Sequence, residues 1–169
     1  IYALSTFHLR FDDFHPDKER IYRLNTVAAF GGGAHWPIVP QPLGKAIRND
    51  FTFTDATARI KTHRQAMVVL PDVAGTPRFL EEGIVAFTEP DYFSIFKYDG
   101  VPSQVSSRLR EPNTALITKG IATKYFGDAD ALNQNIRVTS GEVQVDFRVI
   151  GVLDDPRPNS DLRARIFIS

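Results

Sequence analysis

The chain has 169 residues, of which 43% are hydrophobic, enough for one packed core or two small lobes without a metal or disulfide. Lysine plus arginine and aspartate plus glutamate each number 20, so no long-range field attracts nucleic acid or anionic lipid, and nucleic-acid binding is disfavoured. The absence of cysteine excludes disulfide frameworks, thiolate metal sites and cysteine nucleophiles.

The first predicted element is a strand over residues 20–30, which follows a short turn at 15–19. Its apolar side chains alternate at period two: Tyr22, Leu24, Ala28 and Phe30. Residues 31–42 contain three glycines and three prolines and are predicted to form a loop. We expect the tryptophan of this loop, Trp36, to pack into its own domain, with contact to a partner as the alternative.

An amphipathic helix is predicted over residues 41–51, because Leu43, Ile47 and Phe51 recur every four residues. Strand-like stretches follow at 57–70 and 79–87. Since turn residues separate them, we expect the two stretches to pair as a hairpin.

Two further short helices are predicted. Pro90 suits a first helical turn and precedes an aromatic side made by Tyr92, Phe93 and Phe96. A strand at 115–117 leads to a third helix, which Thr118 can cap and Gly127 can end. The last apolar residue of that helix, Phe126, is expected to be buried, and its replacement by alanine to cost about 3–5 kcal/mol.

The strictest alternation runs over residues 143–153 and predicts a central strand. A two-residue turn at Ser140 and Gly141 is expected to connect it to a strand over 135–139. Residues 165–168 are again strand-like. The predicted fold class is α+β, a mixed β-sheet with short helices, arranged in one or two lobes.

No catalytic, cofactor-binding or metal-ligating residue is predicted. Asp12, Asp13, His15 and Asp17 are close in sequence, but no second group of ligands closes a metal site, so we expect chelators to leave the melting temperature unchanged. Gly44 and Lys45 lack the rest of a phosphate loop, and the glycines at 31–33 lack dinucleotide spacing. The common hydrolase signatures are absent as well. The chain is therefore predicted not to be an enzyme, although a site assembled from distant residues stays open.

Five phrases carry a family resemblance through their order. They are Phe14-His15-Pro16 leading to Arg20-Ile21-Tyr22-Arg23, Pro42-Leu43 opening a helix that ends at Phe51, Asp91-Tyr92-Phe93-Ser94-Ile95-Phe96, Leu116-Ile117-Thr118 to Lys124-Tyr125-Phe126-Gly127, and Val149-Ile150-Gly151-Val152-Leu153-Asp154-Asp155-Pro156 through Asn159-Ser160. Almost end to end, the chain resembles the MacB-like periplasmic core domain of FtsX-like ABC transporter permeases. Lys119, Asn133 and Asp161 differ from the residues that are common in the family at these positions. These differences put the subfamily in question, and not the resemblance to the family.

The resemblance implies one MacB-like domain over residues 1–169, inserted between transmembrane helices 1 and 2 of a permease. It would lie on the periplasmic side of the bacterial inner membrane. Its implied partners are a cytoplasmic ATPase, a second permease copy in a homo- or heterodimer, and a periplasmic adaptor or substrate protein. The implied role is to transmit ATP-driven motion to the export or release of a lipoprotein, peptide, drug or signal, with no cofactor of its own.

Two expectations accompany this interpretation. The longest apolar runs are much shorter than the roughly 20 residues that cross a bilayer, so no membrane-spanning segment is predicted within these residues. The chain opens at Ile1 without a methionine, so both ends are predicted to be cut from a longer polypeptide. A free-standing periplasmic ligand- or protein-binding module is the alternative, and a concave pocket with converging polar groups would distinguish it.

Overall fold

A computed structural model describes residues 12–27, 33–96, 98, 104 and 107–169. The helices are α1 (Leu43–Asp50), α2 (Tyr92–Ile95) and α3 (Lys119–Phe126), with single 3₁₀ turns at Lys18–Arg20 and Arg108–Arg110. The strands are β1 (Thr26–Val27), β2 (His35–Trp36), β3 (Ile60–Thr62), β4 (Gln65–Val69), β5 (Arg78–Glu82), β6 (Val85–Thr88), β7 (Thr114–Thr118), β8 (Asn135–Ser140), β9 (Val143–Leu153) and β10 (Ile166–Ile168).

Eight of these strands form one mixed sheet in the order β3-β6-β10-β7-β9-β8-β4-β5. Two pairs, β6 with β10 and β7 with β9, are parallel, and the other neighbours are antiparallel. The remaining strands, β1 and β2, pair with each other as a separate two-stranded ribbon. The predicted α+β class with a mixed sheet and short helices is confirmed.

One long hairpin joins the two ends of the sheet. At its middle, the His63 N–H donates to the Val85 carbonyl at 2.8 Å and the Gly83 N–H donates to the Arg64 carbonyl at 3.1 Å. On one side of these bonds β3 pairs with β6, and on the other side β4 pairs with β5. Since β3 and β5 are opposite edge strands, the sheet is curled.

Apolar side chains cover both faces of the sheet because its central strands alternate at period two. In β7, Ala115 and Ile117 face the core beneath α3, whereas Leu116 faces the core beneath α2. In β10, Phe167 lies in the α2 core between two isoleucines that lie in the α3 core. The domain therefore has two hydrophobic layers on opposite faces of one sheet.

Most predicted elements are confirmed. The helix near 41–51 is α1, the hairpin of 57–70 with 79–87 forms, and the strands at 115–117, 143–153 and 165–168 are β7, β9 and β10. The expected central strand, β9, lies inside the sheet between β7 and β8. Asn133 has a φ of 65°, a left-handed conformation that asparagine tolerates.

Four local predictions need correction. The strand over 20–30 is reduced to Thr26–Val27 in the described part of that stretch, because only β2 pairs with it; Phe30 and its neighbours from 28 to 32 lie outside the described residues. The turn between β8 and β9 is Gly141-Glu142, since Ser140 already pairs with Val143.

The other two corrections concern α3. Thr118 precedes the helix but makes no capping hydrogen bond through its side chain. Phe126 packs against the α3 core yet is only half-buried, because it lies at the helix end beside Gly127, whose φ is 61°. We therefore expect Phe126→Ala to cost less than a fully buried phenylalanine would.

No helix within the described ranges is both long and apolar enough to traverse a bilayer.

Candidate functional site

Asp12 ties the N-terminal turn of the described chain to residues 159–161, which precede β10. Its backbone N–H donates to the Asn159 carbonyl at 2.9 Å. Its carboxylate accepts the Ser160 hydroxyl at 2.5 Å and the Asp161 N–H at 3.2 Å. We call these residues, together with His15, the clasp. Hydrogen bonds to a charged carboxylate are stronger than hydrogen bonds between neutral groups. The clasp therefore fixes the N-terminal turn to the segment before β10.

Asp12 adopts a φ of 57°, in the left-handed region that most residues avoid. Aspartate and asparagine enter this region more readily than other non-glycine residues, because their short side chains bond locally. The turn continues with the His15 N–H donating to the Asp12 carbonyl at 3.2 Å. The local sequence therefore presents the Asp12 carboxylate to Ser160.

His15 is the buried member of the clasp, with 4% of its surface exposed. Neither ring nitrogen has a hydrogen-bond partner among the described residues, and Nε2 lies 3.8 Å from Asp12 Oδ1. Burial lowers the pKa of His15, an effect that Asp12 partly opposes and Arg157 reinforces. The imidazole is therefore neutral at neutral pH.

A small cavity of about 30 Å³ lies beside the clasp, with room for about one or two water molecules. Its lining combines the ring of His15 with the acidic and basic side chains of Asp155 and Arg157. The Arg157 guanidinium lies 4.7 Å from the centroid of the Phe14 ring, a cation–π distance. A cavity of this size cannot enclose a drug-sized ligand, which needs about 300 Å³ or more.

Aromatic rings connect the clasp to the sheet. The His15 ring meets Phe96 edge-on at 5.4 Å, Phe96 lies 4.9 Å from Tyr92, and Tyr92 lies 5.7 Å from Phe167 in β10. Tyr92 and Phe167 are almost fully buried. Because burial raises the pKa of Tyr92, its hydroxyl stays protonated and lies 3.4 Å from that of Tyr98. Close-packed rings transmit displacement because cores resist compression.

The segment before Asn159 also holds α3. The Asp155 carboxylate accepts the Gly120 N–H at 2.9 Å in the first turn of that helix, and Lys119 pairs with Asp154. Asp155 thus satisfies the helix N-terminus, where its charge is favourable. A side chain at position 120 would place its Cβ 3.0 Å from the Asp155 carboxylate, so the close approach favours glycine there.

The serine, histidine and aspartate of the clasp do not form a catalytic triad. In a triad, histidine lies between the other two and accepts the serine proton. Here the Ser160 hydroxyl donates directly to the Asp12 carboxylate, and the imidazole nitrogens are both unpartnered within the described chain. The arrangement holds two chain segments together and does not activate a nucleophile.

The acidic residues near His15 have separate partners. Asp12 is engaged by Ser160 and Asp161, and Asp13 pairs with Lys18 at 2.6 Å on the surface. Across the residues that the structure describes, no three histidine, cysteine, aspartate or glutamate side chains lie close enough together to hold a metal ion. The insensitivity to chelators remains a prediction.

The sequence did not predict the clasp itself. Both of its halves lie in the family phrases, in Phe14-His15-Pro16 and in Asn159-Ser160, but nothing local indicates that they meet. The available signal was an aspartate two residues before one phrase, Asp12, and a serine in the other, Ser160. Trp36, expected to pack into its domain, is instead 53% exposed.

Comparison with known proteins gives a consistent result. The sequence matches the family described as "MacB-like periplasmic core domain" over residues 3–169. No curated protein matches the chain. Among solved structures, a domain of a putative permease protein from Porphyromonas gingivalis has a TM-score of 0.57 at 20% identity, over 75% of this chain and 55% of that one.

Two further structures are more distant. The periplasmic region of MacB from Actinobacillus actinomycetemcomitans has a TM-score of 0.43 at 12% identity, over 74% of this chain and 54% of that one. The extracellular domain of the noncanonic ABC-type transporter YknZ from Gram-positive bacteria has a TM-score of 0.42 at 15% identity, over 71% and 58%. The chain spans little more than half the length of the structures it matches.

Proposed function

Because the chain belongs to the family of MacB-like periplasmic core domains, we propose that it works as the extracytoplasmic lever of an ABC transporter permease. In this role it transmits ATP-driven motion from the membrane and a cytoplasmic ATPase to the export or release of a substrate. The substrate classes are those that the resemblance implies, a lipoprotein, peptide, drug or signal. The domain itself performs no chemistry.

The observation that carries this proposal is the path from the clasp to the sheet. A displacement of the N-terminal turn pulls on Asp12, which is bonded to Ser160, and presses His15 on Phe96. From there the packed rings of Phe96 and Tyr92 reach Phe167 in β10, inside the sheet. Because the path contains hydrogen bonds and close-packed rings and no flexible linker, motion entering at Asp12 moves the sheet as a body.

The shape of the domain supports a lever over a ligand-binding module. Both sheet faces are covered by packed apolar side chains, and the cavity at the clasp holds only small molecules such as water. A binding module needs an enclosed pocket of several hundred Å³ with converging polar groups. The larger depression of the described residues, about 540 Å³ beside Asn113, Arg137 and Asp146, is wide open to solvent.

A flexible insertion in the complete transporter tests the proposal. A Gly/Ser segment is inserted ahead of Phe7, a position outside the described residues, and the same segment is inserted between Gly141 and Glu142 as a control. The control site is an exposed hairpin turn, where insertions are tolerated. Substrate export and ATP hydrolysis are measured in one preparation.

We expect the first insertion to reduce export much more than hydrolysis, since a flexible linker dissipates directed displacement. The control insertion should change neither. Undiminished export with the first insertion, or a parallel loss of hydrolysis, would refute the lever and favour a binding or regulatory role.

A further inference from the structure

A buried carboxylate joins the edge strand β5 to the helix α3. Glu81, in β5, is 5% exposed. Its Oε1 atom accepts hydrogen bonds from Lys124 Nζ at 2.6 Å and from the Tyr125 hydroxyl at 2.7 Å. A buried charge without partners is costly, so these bonds fix the position of the carboxylate. Charge-assisted bonds therefore hold β5 to the last turn of α3.

The other inward-facing residue of β5 contacts the same turn of α3. The Phe79 ring stacks on the Tyr125 ring, with the centroids 4.6 Å apart and the planes at 28°. Lys124 Nζ lies 5.3 Å from the centroid of the Phe79 ring, a cation–π distance. Because Phe79 and Glu81 are two positions apart in a strand, they lie on the same face of the sheet. Both therefore attach β5 to α3.

These contacts are important for β5 because it is an edge strand. Among the described strands its one neighbour is β4, whereas β4 also pairs with β8. No further described strand positions β5 from its free side. The contacts with α3 therefore supply the second support of β5.

The opposite end of α3 is attached to the segment that leads to the clasp. The Gly120 N–H, in the first turn of α3, donates to the Asp155 carboxylate at 2.9 Å. A short connection containing Pro156 and Pro158 leads from Asp155 to Asn159 of the clasp. Because proline fixes its own φ, this connection has little backbone freedom. A displacement of the clasp is therefore transmitted to the first turn of α3.

We propose that α3 carries displacement of the clasp to the β4–β5 hairpin, and that Glu81 is the positioning residue that makes this transfer possible. The eight residues of α3 span about 12 Å. Ile121 and Tyr125 pack into the core beneath the helix, and close-packed cores resist compression, so α3 moves as a rigid body. This route to the hairpin is separate from the aromatic route, which reaches β10.

This inference rests on the proposed function, because it names a part of the domain that receives the motion of the lever. The two can nevertheless fail separately. If motion reaches the sheet through the aromatic rings alone, the lever stands and the α3 route is wrong.

Neighbouring glutamates give a matched test in the complete transporter. Glu81→Gln keeps the size of the side chain and removes the charge that Lys124 and Tyr125 bind. Glu82→Gln makes the same change at an exposed residue, whose carboxylate accepts a bond from Gln65. Substrate released per ATP hydrolysed is measured for each variant. Amide hydrogen exchange of residues 71–82, which reports local opening, is measured with and without ATP.

We expect ATP to change the exchange of residues 71–82 in the wild type and in Glu82→Gln, but not in Glu81→Gln. Glu81→Gln should also lower the release ratio several-fold at nearly normal hydrolysis, while Glu82→Gln keeps the wild-type ratio. Equal ratios in the two variants would overturn the α3 route. A lower melting temperature in Glu81→Gln at an unchanged ratio would also overturn it, because Glu81 would then have a structural role only.

A milder variant keeps the test decisive if Glu81→Gln does not fold. Tyr125→Phe removes one bond to Glu81 but keeps the ring that stacks on Phe79. We expect it to lower the release ratio in the same direction by a smaller factor, and a wild-type ratio in this folded variant would overturn the α3 route. If the insertion ahead of Phe7 uncouples export while Glu81→Gln and Tyr125→Phe do not, the α3 route fails and the lever stands. If that insertion has no effect either, the lever fails as well.

Discussion

β7 and the ribbon begin from the same kind of sequence and reach opposite environments. Both are apolar segments that predict strands, yet all five residues of β7 are buried, whereas Tyr22, Leu24, Trp36 and Ile38 are at least half exposed. The difference lies in their neighbours. β7 is enclosed by β10 and β9 and covered on both faces, but β1 and β2 have only each other.

An apolar pattern therefore indicates which side chains favour burial, but it does not indicate which part of the protein buries them. For β7 the cover comes from distant parts of the same chain. For the ribbon, no cover comes from the described residues. The following changes test this contrast between an enclosed region and an exposed one.

The largest effect is expected from removing an enclosed aromatic ring. Phe167 is 0% exposed and contacts three other rings, so Phe167→Ala should cost about 3–5 kcal/mol of unfolding free energy. Trp36 is 53% exposed, so Trp36→Ala should change it by less than about 0.5 kcal/mol. Urea denaturation measures both, and similar losses in the two variants would remove the contrast.

A second test concerns Glu89, which joins α1 to the sheet. Arg48 Nη1 and Arg59 Nη2 lie 3.0 Å and 2.6 Å from its carboxylate oxygens. Burial alone would raise the pKa of Glu89, but the hydrogen bonds from the two arginines outweigh it and lower the pKa to about 2. The folded state therefore favours the charged carboxylate.

The stability from Glu89 is present above its unfolded pKa of 4.5 and is lost as the pH falls toward 2. After allowance for solvent screening at the partly exposed arginines, the loss is about 2 kcal/mol. Glu89→Gln has no carboxyl to protonate, so the difference in unfolding free energy between wild type and variant should shrink by this amount as the pH falls from 4.5 toward 2, as measured by urea denaturation at a series of pH values. An unchanged pH dependence would show that the arginines do not hold the carboxylate.

Neighbouring aspartates give a matched test of the clasp. Asp12→Asn keeps the side-chain shape and tolerates the positive φ, but it loses the charge and one acceptor of the bonds from Ser160 and Asp161, which should cost about 1–2 kcal/mol. Asp13→Asn makes the same chemical change at an exposed ion pair and should have little effect. Equal melting temperatures for the two variants would contradict the clasp.

The smallest effect is expected from the buried imidazole. Because burial lowers the pKa of His15 in the folded state, only the unfolded chain binds the proton just below pH 6.5, so stability falls as the pH drops from there toward the lower folded pKa. His15→Gln should flatten this slope. His63, whose pKa burial and Lys61 also lower, contributes separately, and His63→Gln is the control. A slope that persists in the double variant would refute the assignment.

Local patterns predicted the enclosed region well. Alternation located β7 and β9, because the pattern reports faces that the fold buries. The four-residue spacing located α1, although Leu43 and Ile47 are only half-buried and Phe51 is 48% exposed. The clasp depends instead on residues 148 positions apart, Asp12 and Ser160. No local pattern encodes a meeting of two segments so far apart in the chain.

The same limit explains the smaller errors. Thr118 has the right residue type and position for a cap, but Asp155 from another segment takes that role for α3. The strand predicted over 20–30 has an alternating sequence, but in its described part only Thr26–Val27 finds a pairing partner. Periodicity located β7 and β9, but the extent of the strand in 20–30 and the exact turn after Ser140 depend on which residues pair across strands, which periodicity alone does not specify.

The lever is tested most directly by substrate released per ATP hydrolysed in the complete transporter, compared between Asp12→Asn and Asp13→Asn. Both variants remove one negative charge from adjacent positions, but only the first weakens the clasp. The account predicts that Asp12→Asn lowers this ratio several-fold at nearly normal hydrolysis, while Asp13→Asn keeps the wild-type ratio. Equal ratios in the two variants and the wild type, with both proteins folded, would contradict it.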